Sequence, residues 1–222
     1  MSPRLPLHAL LIAGAGLATV PGMLAAQGSA ARRPATAATL PSDWTMRLDR
    51  ANLPAEYRLS ATPTGLHVTT VRAAGILYEP RTTATGAYRV DATLTQTKAP
   101  AHPEAYGLFV GGARLDAPTQ SYLYFVVRGD GKYLIKHRAG EQIHTLADWT
   151  SSPAIRSADG AGRAANAIRI DVARDSVRFF ANGARVAAIP HAAGLRTDGV
   201  VGLRVNHALD LLVEGPRVTP TR

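Results

Sequence analysis

The stretch from residue 106 to 138, YGLFVGGARLDAPTQSYLYFVVRGDGKYLIKHR, decides the fold. Tyr122 to Arg128 is an aromatic and β-branched run, Gly129-Asp130-Gly131 interrupts it, and Lys132 to Arg138 alternates polar and apolar residues. Two such runs around a glycine-flanked aspartate predict a β-hairpin. Asp-Gly at the tip predicts a type I′ turn, whose twist matches the strands it joins. In the second strand Tyr133, Ile135 and His137 fall on one face, and Lys132, Leu134, Lys136 and Arg138 on a face expected to be wet. In the first, Leu123, Phe125 and Val127 oppose Tyr122, Tyr124, Val126 and Arg128, and either side is apolar enough to be covered. The pattern is that of an interior hairpin in a larger antiparallel sheet.

Outward from this hairpin, strand-like runs recur, each ended by Gly, Pro, Asn or Asp, and no stretch carries apolar residues at helical spacing. The predicted strands are Trp44 to Leu48, Tyr57 to Ala61, Gly65 to Thr70, Ala74 to Tyr78, Gly86 to Thr95, Tyr106 to Val110, the two hairpin strands, Gln142 to Leu146, Ala167 to Ala173, Ser176 to Ala181, Ala184 to Ile189, Val200 to Asn206 and Leu209 to Glu214. About fourteen short strands are too many for one open sheet, so two stacked antiparallel sheets are expected. Tyr88, Val90, Ala92 and Leu94 should face the core, opposite Arg89, Asp91 and Thr93. Ile168, Ile170 and Val172 should do the same opposite Arg169 and Asp171. Asn182-Gly183 predicts a second type I′ turn.

The start of the chain reads differently. Arg4, an apolar stretch from Leu5 to Val20 and the small residues before Gln27 follow the plan of a secretory signal peptide, residues 1–26. Its apolar run, broken by glycines and Pro21, is shorter than the roughly 20 residues that span a bilayer, so no integral membrane segment is expected once the signal is removed. Residues 27–42, rich in Ala, Arg and Pro, bury too little to order themselves and are read as a linker. Residues 43–219 are read as one sandwich domain, and about 180 residues can bury roughly 70% of their unfolded surface. The expectation is a periplasmic or secreted protein. With no cysteine, its stability must come from packing.

The formal net charge is +9, and only three of the 25 basic residues are lysines. Arginines scattered along the chain, without a stripe or tail, argue against a nucleic-acid partner. They are read as a surface bias, with attraction to acidic polymers as the alternative.

Three motifs carry a resemblance. Asn166 leads the strand Ile168 to Val172, Phe179 to Gly183 forms a Phe-x-x-Asn-Gly hairpin, and Gly199 to Leu203 forms a Gly-x-x-Gly-Leu strand. With Gly86 to Val90, Tyr106 to Phe109 and the central hairpin, they occur in the order of the C-terminal half of concanavalin A-like jelly rolls. The chain from Tyr78 to Val213 resembles that superfamily, which includes laminin G-like modules and the 3-keto-disaccharide hydrolase domain. The resemblance implies an all-β, two-sheet antiparallel jelly-roll sandwich but does not choose a function, because the same sandwich hosts lectins, adhesion modules and glycosidases.

Sequence chemistry narrows the choice little. The Glu-x-Asp-x-x-Glu strand of laminarinase-like members is absent, and retaining hydrolysis needs paired carboxyls about 5 Å apart. There is no Gly-x-Ser-x-Gly elbow, phosphate loop or His-Glu-x-x-His. His67, His102, His137, His144, His191 and His207 are spread out and are read as surface or rim residues, with no metal site assigned. Calcium held by Asp116 and loop carbonyls would suit a laminin-like domain, and no other cofactor is expected. Arg128-Gly129-Asp130 is read as turn chemistry and not as an adhesion signal.

What remains is a polar-aromatic set: Tyr122, Tyr124, Arg128, Arg138, Trp149, Arg204 and Asn206, with Lys136 beside them. Pyranose recognition needs flat aromatic faces and planar hydrogen-bonding groups, and this set has both. The expected function is non-catalytic binding of a carbohydrate or similar polar ligand. The alternatives are a hydrolase or lyase acting on a modified disaccharide, with Glu104 as the candidate acid, and a structural or adhesion module without a small ligand.

Overall fold

The computed structural model describes residues 41, 43–50, 57–192 and 194–221, and the signal and linker segments lie outside the described residues apart from Pro41. Fourteen strands are present and no helix among the described residues: β1 (Thr45–Leu48), β2 (Tyr57–Thr62), β3 (Gly65–Thr70), β4 (Gly75–Ala84), β5 (Tyr88–Gln96), β6 (Ala105–Ala113), β7 (Ser121–Arg128), β8 (Lys132–Ala139), β9 (Gln142–Ser151), β10 (Ala164–Val172), β11 (Ser176–Ala181), β12 (Ala184–Pro190), β13 (Gly199–Val205) and β14 (Asp210–Pro220). They form two seven-stranded antiparallel sheets. The first, sheet A, has the order β1-β4-β13-β6-β7-β8-β9, and the second, sheet B, has the order β12-β11-β10-β5-β14-β3-β2.

The inner faces follow the expected alternation. Tyr88, Val90, Ala92 and Leu94 on β5, Ile168, Ile170 and Val172 on β10, and Val177, Phe179 and Ala181 on β11 are buried between the sheets. Sheet A answers with Leu77, Leu108, Leu123, Phe125, Val127, Ile135 and Leu203. Phe125 and Phe179 meet across the gap with ring centroids 5.4 Å apart. Phenols also tie one sheet to the backbone of the other: Tyr57 Oη donates to Val205 O at 3.1 Å, and Tyr133 Oη to Val186 O at 3.1 Å.

Three sequence expectations change. The hairpin tip is a three-residue loop, in which Gly131 N donates to Arg128 O at 3.1 Å and Gly131 alone takes positive φ, 80°. Asp130 stays at negative φ, so this is a three-residue connection with glycine in the left-handed position, not type I′. At Asn182-Gly183 both residues have positive φ, 49° and 89°, as a type I′ turn requires. Several strands outrun their predicted ends. β4 continues through Pro80, and β14 continues past Gly215-Pro216 by way of a register shift between Glu214 and Arg217, since a bulge accommodates a residue with no N–H to give the ladder. Finally, the face of Lys132, Leu134, Lys136 and Arg138 is not uniformly wet. It belongs to a second buried cluster, on the outer side of sheet A, made by Ile76, Tyr78, Ala105, Phe109, Leu115, Tyr122, Tyr124, Val126 and Leu134.

Candidate functional site

That second cluster is the floor of the candidate site. Cross-strand register defines its rows: Arg47 pairs with Ile76, Ile76 with Arg204, Arg204 with Gly107, Gly107 with Val126, and Val126 with Leu134. The next row runs through Tyr78, Gly202, Phe109, Tyr124 and Lys136, and beyond it Tyr122 pairs with Arg138. Glycine at 107 and 202 leaves room for neighbours. A Cβ on Gly202 would meet Leu77 O and lie 2.6 Å from the Phe109 ring. Tyr122 packs tilted between Phe109, at 5.3 Å, and Tyr124, at 5.6 Å.

On this floor stand the charged groups. Arg204 is only 8% exposed and grips Asp49 in a two-pronged ion pair, Nη1 to Oδ1 at 2.7 Å and Nη2 to Oδ2 at 2.6 Å. Burial alone would raise the Asp49 pKa, but the hydrogen bond and charge of Arg204 outweigh it and hold the carboxyl below its usual range. Arg204 Nη2 also reaches Asn206 Oδ1 at 3.5 Å, its guanidinium lies 5.5 Å from the Tyr124 ring, and its Nε is buried without a partner among the described residues. Burial pushes the Tyr122 and Tyr124 phenols up, against the pull of Arg204. Arg47 donates to Leu115 O at 2.6 Å and Arg138 to Gly140 O at 3.2 Å.

At the far side of the face, the Arg128 guanidinium stacks 4.0 Å over the Trp149 ring while Nε donates to Asp130 Oδ1 at 3.0 Å. The Arg-Gly-Asp tripeptide is therefore engaged within its own turn, as expected. Trp149 is half-buried on β9 against the outer cluster.

All seven residues of the polar-aromatic set thus share the outer face of sheet A, together with Lys136. They do not play equal parts: Tyr122 is 1% and Tyr124 7% exposed, so they support the surface, and the reachable groups are Arg128, Lys136, Arg138, Trp149 and Asn206. Sequence reasoning missed Arg47 and Asp49. No local pattern marked them, because β1 is short and joins the face only through its pairing with β4.

Glu104 lies outside this set, at the start of β6. It is 5% exposed, and Oε1 lies 2.8 Å from His102 Nε2 and 3.1 Å from His207 Nδ1. Two histidines read as scattered are brought together here. Their positions, about a hundred residues apart, gave no spacing signal. The pair closest in sequence, His137 and His144, sits cross-strand with rings 6.0 Å apart, and burial followed by the neighbouring imidazole lowers the His137 pKa. Asp116 is exposed on the loop after β6 and belongs to no cluster of three metal-ligating side chains among the described residues.

A cleft of about 670 Å³ lies apart from both groups, lined by residues including Gly86, Arg174, His191, Arg196 and Asp198. It contains none of the candidate residues. No Trp, Tyr or Phe lines it, so it offers none of these flat rings for a pyranose to stack on, whereas the face of sheet A does.

Asn166 and Asn182 of the jelly-roll motifs are structural. Asn166 Oδ1 accepts from Arg156 N at 2.9 Å and from Asn182 Nδ2 at 2.8 Å, and Asn166 Nδ2 donates to Arg156 O at 3.1 Å. They pin the 152–158 loop to the β10–β12 meander.

No family model and no curated protein matches the chain. Solved structures do. A protein of unknown function with a galectin-like fold from Bacillus subtilis aligns with TM-score 0.60 and 15% identity over 80% of this chain and 89% of that one. The carbohydrate-binding module CBM66 from Bacillus subtilis aligns with TM-score 0.58 and 11% identity over 79% and 94%. A GH16 protein from the Bacteroides ovatus mixed-linkage glucan locus, in complex with its product, aligns with TM-score 0.57 and 6% identity over 79% and 94%. At such identities the likeness concerns the fold, and with the strand order above it makes this chain a concanavalin A-like jelly-roll sandwich.

Proposed function

We propose that the outer face of sheet A binds a carbohydrate or similarly polar ligand without catalysis. The observation that carries this reading is the Arg128–Trp149 stack at 4.0 Å, on the same sheet face as Lys136 and Arg138. Arg128, itself tied to Asp130, holds the indole in one orientation, and a fixed aromatic plane is what the apolar side of a pyranose stacks on. Charged donors along the same face suit hydroxyl or carboxylate oxygens. Two fold neighbours add support by their own descriptions, one a carbohydrate-binding module and one a GH16 protein holding an oligosaccharide product. The test is a glycan array of neutral and acidic oligosaccharides, followed by titration of the hits. Trp149→Ala and Arg138→Ala should each weaken binding at least tenfold, about 1.4 kcal/mol, with the fold intact by circular dichroism. Hits that survive both substitutions would reject the face.

A second reading, a hydrolase or lyase acting on a modified disaccharide, is favoured by Glu104, a buried carboxyl set against two imidazoles. Turnover of a disaccharide panel that disappears in Glu104→Gln would select it over the binding reading.

A further inference from the structure

We propose that His102, Glu104 and His207 form a binding site for a divalent transition-metal ion of the zinc class, independent of the ligand face. Their ligand atoms all lie within 4.8 Å of one another. Zinc bonds of about 2.0–2.2 Å to nitrogen and oxygen place neighbouring ligand atoms roughly 3.3 Å apart. The observed distances of 2.8 Å and 3.1 Å to Glu104 Oε1, and the 5.5 Å between the ring centroids, are within small side-chain rotations of that arrangement. Two imidazoles and one carboxylate are a ligand set that borderline metals take while leaving coordination positions open.

Three further observations separate this group from a chance contact. First, Glu104 is buried at 5% exposure in a chain whose 25 Lys and Arg residues outnumber its 16 acids, yet its only ion-pair partners among the described residues are the two histidines. Burying a carboxylate is costly unless strong partners compensate it, and a dication compensates far better than two imidazoles. Second, the site is built in advance. Asn206 N donates to Ala105 O at 2.9 Å, locking the end of β13 beside the start of β6, and Ala208 N donates to Val71 O at 3.0 Å. Thr70 Oγ1 donates to Asn206 O at 2.8 Å and accepts from Leu209 N at 3.0 Å. The turn presenting His207 is therefore held on both sides, with Ala208 at φ 56°. Third, the group opens to solvent on the imidazole side: the His102 and His207 side chains are 64% and 40% exposed. An ion can enter there and keep water in its remaining positions.

The experiment uses the untagged full-length chain, stripped with chelator, dialysed, and titrated with Zn²⁺ by calorimetry and with Co²⁺ by visible absorption. The expected result is one equivalent bound per chain, with Co²⁺ d–d bands of a four- or five-coordinate centre and a raised Tm in Zn²⁺. His102→Ala, Glu104→Gln and His207→Ala should each weaken Zn²⁺ at least about tenfold, the low end of what even outer-shell changes cost a metal site, while His144→Ala leaves it unchanged. His102→Ala is the decisive variant, since its exposed side chain contributes little to folding. The absence of stoichiometric uptake, or uptake indifferent to His102→Ala and His207→Ala in variants that remain folded, would overturn the proposal. That result would leave the two histidines as hydrogen-bond donors to Glu104 alone.

Discussion

The two sheets turn opposite kinds of surface outward. On sheet B the outward residues of β5, β10 and β11 are partly exposed, with Arg89 pairing with Asp171 at 2.9 Å and the Arg169 guanidinium lying 3.8 Å over Phe180. On sheet A the outward residues form a dry layer of their own, and the charge above it, Arg204, is itself nearly buried and paired with Asp49 at 2.6 Å. Similar residue types, arginine, aspartate and an aromatic ring, therefore do different work. In solvent they decorate a strand, and over a dry floor they are held in one geometry at a real energetic stake.

Substitutions can break this contrast, and the largest effect should come from the floor itself. Phe109→Ala, removing a ring with no exposed surface, should destabilise by about 3–5 kcal/mol, whereas Phe180→Ala on sheet B should stay within about 1 kcal/mol of the parent. Urea denaturation of both measures the difference, and equal losses would mean that the outer cluster is not a second core. Next in size, Asp49→Ala leaves Arg204 without its counter-charge and should cost about 3 kcal/mol, against less than about 1 kcal/mol for Asp171→Ala.

Acid offers a smaller and separate probe. Burial alone would raise the Asp210 pKa, but hydrogen bonds from Thr97, His67 and Lys98 prevail and hold it at about 2. A carboxyl held below its unfolded value of 3.8 contributes stability that is complete above that value and is lost as the pH falls from about 4 towards 2. Asp210→Asn should flatten that limb of the pH–stability curve by about 1–2 kcal/mol, discounted for the exposed Lys98 partner. The smallest effect on stability belongs to Trp149→Ala, about 0.5–1 kcal/mol for the lost stack, although its effect on ligand binding should be the most visible.

The same contrast explains what could be read from the chain. Sheet B was legible because its strands bury one face: Tyr88 to Leu94 and Ile168 to Val172 alternate, and each alternation assigns a side. In β6 and β7 both faces are buried, and alternation disappears when there is no wet side to mark. The sharing of one face by Tyr124, Arg128 and Arg138 follows from the hairpin register alone. The addition of Arg204 and Asn206 needed the jelly-roll order. Asp49 and the meeting of His102 with His207 were illegible, since both depend on contacts between distant strands at sheet edges and ends, where local periodicity carries no information.

The strand order also sets the sequence of events by which the chain can become a protein. β13 lies between β4 and β6, and β14 between β3 and β5. Each sheet therefore has a gap near its middle that only residues from Gly199 onward can fill. Until those residues have been synthesised, both sheets have open interior edges and the Arg204 anchor does not exist. The sandwich stays unfinished until β13 and β14 exist, and neither the strands before Gly199 nor those from it onward can close it alone.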